Sequence, residues 1–220
     1  MNLFVSRSGG SFLIDKHYVS YGSCCAGSCG ASKDITGCRF SISPMSDDFI
    51  DIILSSISKV DTSKIWSKTD RLSTIYRGKR CHVLDALKAC FVYSYRKDVH
   101  STMEITLSKG CPGDTDAESH LADDDALLNE GNIADIHFPV ASKISLYPMG
   151  ISNYMQYIAD VVNKSIALGI YDSSSHYATI LKGDVQDLFS YFGWVAEYCE
   201  KRLSHYVFEI TLSVNSPTAE

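Results

Sequence analysis

Along residues 38–43 apolar and polar positions alternate: Cys38, Phe40 and Ile42 fall on one side, and Arg39, Ser41 and Ser43 on the other. A period of two predicts a half-buried strand. Pro44 ends it, because proline has no amide hydrogen to give the ladder. From Ser46 the period changes. Ser46 suits a helix N-cap, and Asp47 and Asp48 suit the positive end of the helix dipole. Phe49, Ile50, Ile53, Ile57 and Val60 then recur at helical spacing and predict one buried stripe. Two short strands follow near 64–69 and 72–77, around an Asp70-Arg71 turn, and Gly78 closes the hairpin. A second helix is predicted over 80–97, with Val83, Leu84, Leu87, Phe91 and Tyr95 on its face. A last strand, 102–108, sends Met103, Ile105 and Leu107 one way and Glu104 and Thr106 the other.

The second half runs through the same order. A strand is predicted near 143–148 and a helix near 152–167, striped by Tyr154, Ile158, Val161, Val162 and Ile166. A hairpin follows over 170–182, then a helix over 184–202 carrying Val185, Leu188, Phe189, Phe192 and Cys199, then a strand over 206–214. The residues themselves repeat. Phe40-Ser41-Ile42-Ser43-Pro44-Met45 aligns with Ile144-Ser145-Leu146-Tyr147-Pro148-Met149 at an offset of 104 residues. Thr74-Ile75-Tyr76-Arg77-Gly78 aligns with Thr179-Ile180-Leu181-Lys182-Gly183 at 105, and Glu104-Ile105-Thr106-Leu107-Ser108 recurs unchanged as Glu209-Ile210-Thr211-Leu212-Ser213, also at 105. That period is too long for a solenoid and predicts two tandem domains. The order β-α-β-β-α-β, twice over, is the split βαβ arrangement of ferredoxin-like domains, an α+β class. The boundaries expected are 36–110 and 141–217, after an N-terminal extension over 1–33 expected to be flexible. The helices should cover one sheet face, leaving the face with Glu104 and Glu209 free to meet a second sheet or a subunit.

Composition narrows the classes. The chain has 220 residues and a net charge of −6, which argues against a nucleic-acid partner. Between residues 110 and 142 lie eight acids and no Lys or Arg, so 111–140 reads as a solvated acidic linker between near-neutral units. No apolar run reaches the ~18–20 residues that span a bilayer, and the N-terminus lacks a secretory h-region. Cysteines at 24, 25, 29, 38, 81, 90, 111 and 199 then fit a reducing, cytoplasmic compartment, with Cys90 and Cys199 as small core hydrophobes. Cys24, Cys25 and Cys29 cluster, but without paired C-x2-C spacing, so no metal site is expected. The seven histidines are scattered, and Asp123-Asp124-Asp125 reads as a solvated run.

No nucleophile elbow, P-loop, H-E-x-x-H or dinucleotide fingerprint occurs. What remains are polar groups at matched places: Thr74 and Thr179 in the third strand of each unit, and Ser43 and Tyr147 just before the paired prolines. A strand end before proline leaves main-chain groups unpaired, and with a nearby hydroxyl these could pair with a flat heterocycle. Trp66 could stack on it, or simply pack. An enzyme acting on a pyrimidine-type metabolite would need a poised nucleophile or base, and no repeat position supplies a matched Cys/His pair. A dimerising scaffold without ligand is the other alternative.

Several stretches resemble one family. They are Gly37 through Ile50, Asp61 through Asp70, Leu72-Ser73-Thr74, Arg77-Gly78, Cys111 through Thr115, Leu146 through Met149, His176-Tyr177-Ala178 and Asn215-Ser216-Pro217. Together they resemble the YkoF family of thiamin/hydroxymethylpyrimidine-binding proteins over about residues 29–217. The resemblance implies tandem ferredoxin-like domains, a homodimer, and one pocket per domain for thiamin or its pyrimidine. It implies that the main chain at Ile42 and the hydroxyl of Thr74 meet the aminopyrimidine in the first domain, with Leu146 and Thr179 as their counterparts in the second. It also implies a part in thiamin-precursor uptake or salvage beside a membrane transporter, and no cofactor. Thiamin's thiazolium cation suits an aromatic face or a carboxylate, which makes Asp47, Asp48 and Trp66 further candidates, beside Tyr147 at the strand end before Pro148.

Overall fold

The computed structural model describes residues 34–109 and 117–218. The expectations for residues 1–33, and for Cys24, Cys25 and Cys29, lie outside them. In the first repeat, β1 (Thr36–Pro44), α1 (Phe49–Ile57), β2 (Trp66–Thr69), β3 (Thr74–Gly78), α2 (Arg80–Ser94) and β4 (Ser101–Lys109) follow one another. A single-turn helix, α3 (Glu130–Ile133), lies between the repeats. The second repeat is β5 (Pro139–Pro148), α4 (Tyr154–Ala167), β6 (Tyr171–Ser175), β7 (Ala178–Asp184), α5 (Val185–Glu200) and β8 (Tyr206–Val214). This is the expected α+β order, twice.

All eight strands form one antiparallel sheet, ordered β2-β3-β1-β4-β8-β5-β7-β6. Each half has the ferredoxin-like order. Their last strands join edge to edge through nine antiparallel pairs, from Ser101↔Val214 to Lys109↔Tyr206. Ile105 faces Ile210, so the repeated Glu-Ile-Thr-Leu-Ser segments pair with each other about their own centres. Joining two edge strands removes two open rows of backbone donors and acceptors.

Period-two patterning decides which face is covered. Met103, Ile105 and Leu107 of β4 and Phe208, Ile210 and Leu212 of β8 are buried, while Glu104, Thr106 and Glu209 are exposed on the other face. The buried strand residues pack with helix residues of both repeats in one continuous core. Each large apolar side chain fully buried there contributes ~1.5–3 kcal/mol.

Three expectations change in the structure. First, α1 begins at Phe49 rather than after a Ser46 cap; Asp48 is the N-cap residue, and its amide donates to Ser46 Oγ (3.2 Å). Second, the α1 stripe is not all core: Ile52, Ser56 and Val60 are buried, whereas Phe49 and Ile50 are about half exposed. The α4 stripe divides likewise, with Val161 buried and Tyr154 and Ile166 exposed. Third, α2 is buried nearly all round, because α1, α3 and α5 all pack on it as well as the sheet.

The described part of the acidic segment packs rather than running through solvent. Ile133, Phe138 and Asn129 are buried. Asp85, buried on α2, accepts from the amides of Leu128 (3.1 Å) and Asn129 (2.9 Å) and from Asn129 Nδ2 (2.9 Å). Asn129 in turn accepts from the Asp61 amide (2.8 Å) and donates to the Asp61 carbonyl (3.0 Å). The aspartate run meets lysines: Lys64 pairs with Asp124 (2.6 Å), and Lys79 with Asp125 (2.9 Å).

Candidate ligand-binding site

A cavity of about 680 Å³ lies in the second repeat between α4 and the sheet. Its floor is Ile144, Ser145 and Leu146 of β5 with Ala178 and Thr179 of β7. Its wall is the outer part of the α4 stripe: Tyr154, Met155, Ile158 and Val162. The first turn of α4 stands clear of the core, so these apolar side chains face a void instead of neighbours. Tyr147 and Tyr177 line it as well.

Strand register explains the polar features. Ile144 is the last β5 residue to pair with β7, opposite Thr179. From Ser145 to Pro148, β5 is paired only with β8, so its main chain has no ladder partner on the cavity side. Thr179, nearly buried, faces the helices from between Ile144 and Ser174. Ser174 bonds to Tyr171 Oη (3.0 Å), which leaves Thr179 Oγ1 without a side-chain partner among the described residues. Open backbone and a threonine hydroxyl therefore converge on an otherwise apolar space.

The β6–β7 turn adds an aromatic rim. Tyr177 holds φ +66°, a left-handed conformation costly for a residue with a Cβ, and is almost fully exposed. Ser145 Oγ donates to the Tyr177 carbonyl (3.0 Å), tying the tip to the floor strand. On its far side α4 is held by two phenols of α5. Tyr191 Oη donates to the Val161 carbonyl (2.9 Å), and Tyr198 Oη donates to Asp160. The bond from Tyr198, seconded by Gln156, holds the Asp160 carboxyl below the usual range. Burial and then Asp160 push the Tyr198 phenol up to about 12.

The first repeat presents the matching parts. Phe40 is the last β1 residue to pair with β3, opposite Thr74, so Ser41, Ile42 and Ser43 are paired only with β4. Thr74 is nearly buried, like Thr179, but its hydroxyl bonds to Thr69 Oγ1 (3.0 Å). Phe49 and Ile50 stand where Tyr154 and Met155 do, and exposed Leu72 takes the place of Tyr177. Arg39 stiffens this hairpin by donating to Asp70 (2.9 Å) and Ser73. The Asp70 carboxyl is held low by the Leu72 amide first, then by Arg39 and the Ser73 amide.

The structure thus places Leu146, Tyr147 and Thr179 on one cavity, and Ile42 and Thr74 at the equivalent places in the first repeat. Asp48 takes the N-cap position of α1 without a side-chain capping bond, exposed, beside Phe49. Trp66 stands apart: it pairs across the ladder with Arg77, whereas Thr69 pairs with Thr74. The pleat puts odd and even steps on opposite faces, so Trp66 shares a face with Arg77 and not with Thr74. The sequence marked Tyr154 and Ile158 only as a helix stripe and Tyr177 only within a resembling stretch, and none of them, nor Met155, as a site residue. The signal that could have found them is repetition of a large apolar residue at each helix start and each hairpin tip.

Among the described residues, the polar side chains lining the cavity are hydroxyls, those of Ser145, Tyr147, Tyr154, Ser174, Tyr177 and Thr179. Such a surface can enclose a flat heteroaromatic and pair with its edge.

The model of the YKOF-related family matches residues 35–114 and 139–219. The chain is 40% identical over 190 residues to a Bacillus subtilis (strain 168) protein named "Putative HMP/thiamine-binding protein YkoF", covering 86% of this chain and 94% of that one.

Proposed function

The chain belongs to the YKOF-related family, and from that premise we propose that it binds thiamin or its hydroxymethylpyrimidine moiety, at one site per repeat, without catalysing a reaction. The observation that carries this reading is the meeting of Thr179 with the unpaired β5 main chain in an apolar cavity. An aminopyrimidine shows an amine donor beside a ring-nitrogen acceptor. An open strand edge offers the complementary acceptor and donor, and a threonine hydroxyl supplies either. The ring faces would lie against Leu146, Ile158 and Val162. The thiazolium of thiamin would reach the rim, where Tyr147, Tyr154 and Tyr177 give it aromatic faces. The cavity volume suits a ligand of that size.

By the repeat, Ile42 and Thr74 do the same work in the first site, with Asp48 at its rim. Uptake or salvage of thiamin precursors beside a membrane transporter, in the cytoplasm and as a homodimer, is the role this binding would serve. No helix among the described residues is long and apolar enough to cross a membrane.

Titration calorimetry of the full chain with thiamin and with hydroxymethylpyrimidine, each with a strong chelator present, tests the reading. Saturable binding with two sites per chain is expected, unchanged by the chelator. Absence of saturable heat with both ligands would overturn it, and release of a modified pyrimidine would favour an enzyme instead.

A further inference from the structure

At the start of α2, away from the cavity, three different donor groups converge. Cys81 Sγ, a ring nitrogen of His82 and a carboxylate oxygen of Asp125 all lie within 4.8 Å of one another. Cys81 and His82 are consecutive on the helix, and Asp125 comes from the acidic segment between the repeats.

An independent observation concerns His82. It is buried, and its Nε2 lies 2.7 Å from the Asp124 carbonyl oxygen. A carbonyl only accepts, so Nε2 carries the proton and Nδ1 carries the lone pair. That Nδ1 is buried without a hydrogen-bond partner among the described residues. An unpaired buried acceptor costs free energy and calls for an explanation. An imidazole whose far nitrogen donates to a carbonyl is oriented as metal-ligating histidines are.

We propose that Cys81, His82 Nδ1 and Asp125 bind a divalent zinc-class cation that staples the acidic segment to α2. Thiolate, imidazole and carboxylate together suit zinc, with water as the fourth ligand. Bonds of ~2.0–2.3 Å require the three donors to draw together slightly. Asp125, exposed and on a loop, is the member free to move. It can keep one oxygen on Lys79 while giving the other to the metal. Cys81 also lines a groove of about 520 Å³ between α2 and α5.

The second repeat has a different fastening at the same place. Gln186, aligned with Cys81, donates to the carbonyls of Ile133 (2.8 Å) and Ile136 (2.7 Å). One repeat holds the segment with an amide, the other with the metal.

The test is zinc binding by the full chain, measured by competition with a chromophoric chelator and by bound metal after dialysis. Cys81→Ser, His82→Gln and Asp125→Asn are each compared with the parent. Each should remove the same single equivalent of zinc, or weaken it by at least about tenfold. With cobalt as the probe, Cys81→Ser should remove a thiolate-to-metal charge-transfer band. Zinc should raise the melting temperature of the parent more than that of Asp125→Asn, whose exposed site spares the fold if His82→Gln does not. Unchanged zinc stoichiometry and affinity in Asp125→Asn and Cys81→Ser would overturn the proposal, including the case where other cysteines bind zinc. Thiamin binding is a separate reading and survives either result.

Discussion

Thr74 and Thr179 occupy equivalent places in different states. Thr74 is bonded to Thr69, while the neighbour of Thr179, Ser174, is turned toward Tyr171. Thr179→Val keeps the shape and the strand preference but removes the hydroxyl. It should weaken the second site by ~0.5–1.5 kcal/mol, roughly two- to tenfold, and leave the first unchanged. Thr74→Val should weaken the first site alone and also cost up to ~1.5 kcal/mol of stability through the lost bond to Thr69. Calorimetry on each variant checks the affinities, and urea denaturation checks the stability. If both variants bind as the parent does, the two threonines are strand residues only. Matched polar residues in the repeat made Thr74 and Thr179 legible in the sequence. Trp66 misled because its face depends on hairpin register, which is set by the turn and not by the residue type. Cys81, His82 and Asp125 were illegible as a group, because forty-odd residues of chain separate the last from the others.

Among the elements, α4 both walls the cavity and anchors in the core, and its C-terminus is where it is most exposed to substitution. Gly169 holds φ +73°; its amide donates to the Ile166 carbonyl (3.0 Å), and the Ile170 amide donates to the Ser165 carbonyl (3.1 Å). This is a Schellman ending, and Ile170 just beyond it is buried. A Cβ at Gly169 would meet nothing within 4 Å, so Gly169→Ala should cost only the left-handed penalty, ~1–2 kcal/mol, read as a lower denaturation midpoint. Gly169→Asn should cost less. The acidic segment depends on one side chain in the same way. Asn129→Ala removes the partner of Asp61's amide and carbonyl and one of the Asp85 bonds, so a loss of ~1–3 kcal/mol and faster proteolysis within 117–138 are expected. Element order and the longer strand periods could be read from the chain, since β1, β4, β5 and β8 alternate and α1, α4 and α5 are striped. What the stripes cannot report is which part of an apolar face meets core and which meets a cavity. Tyr154 has the pattern of a buried residue yet lines the cavity, and Phe49 stands at the equivalent place in the first repeat. Charge density in the segment 111–140 likewise hid its packing, because Ile133, Phe138 and Asn129 decide that and carry no charge.

At the scale of the whole molecule, one sheet and one core run through both repeats. The repeats should therefore unfold in a single cooperative transition, with calorimetric and van't Hoff enthalpies in agreement. Two resolved transitions would show that each half is stable alone. The pairing of Ile105 with Ile210 carries a further consequence. An antiparallel ladder centred on one residue of a repeated segment reads the same in both directions, like a palindrome. A lone repeat ending in this strand would be complementary to a second copy of itself, and the continuous chain amounts to such a pair made permanent. In a pair of identical molecules every substitution is felt twice, once on each side of the axis. Covalent linkage breaks that bond between the halves. Ser43 can become Tyr147, Thr69 can become Ser174 and Cys81 can become Gln186, each change acting on one pocket or one fastening while its mirror stays as it was.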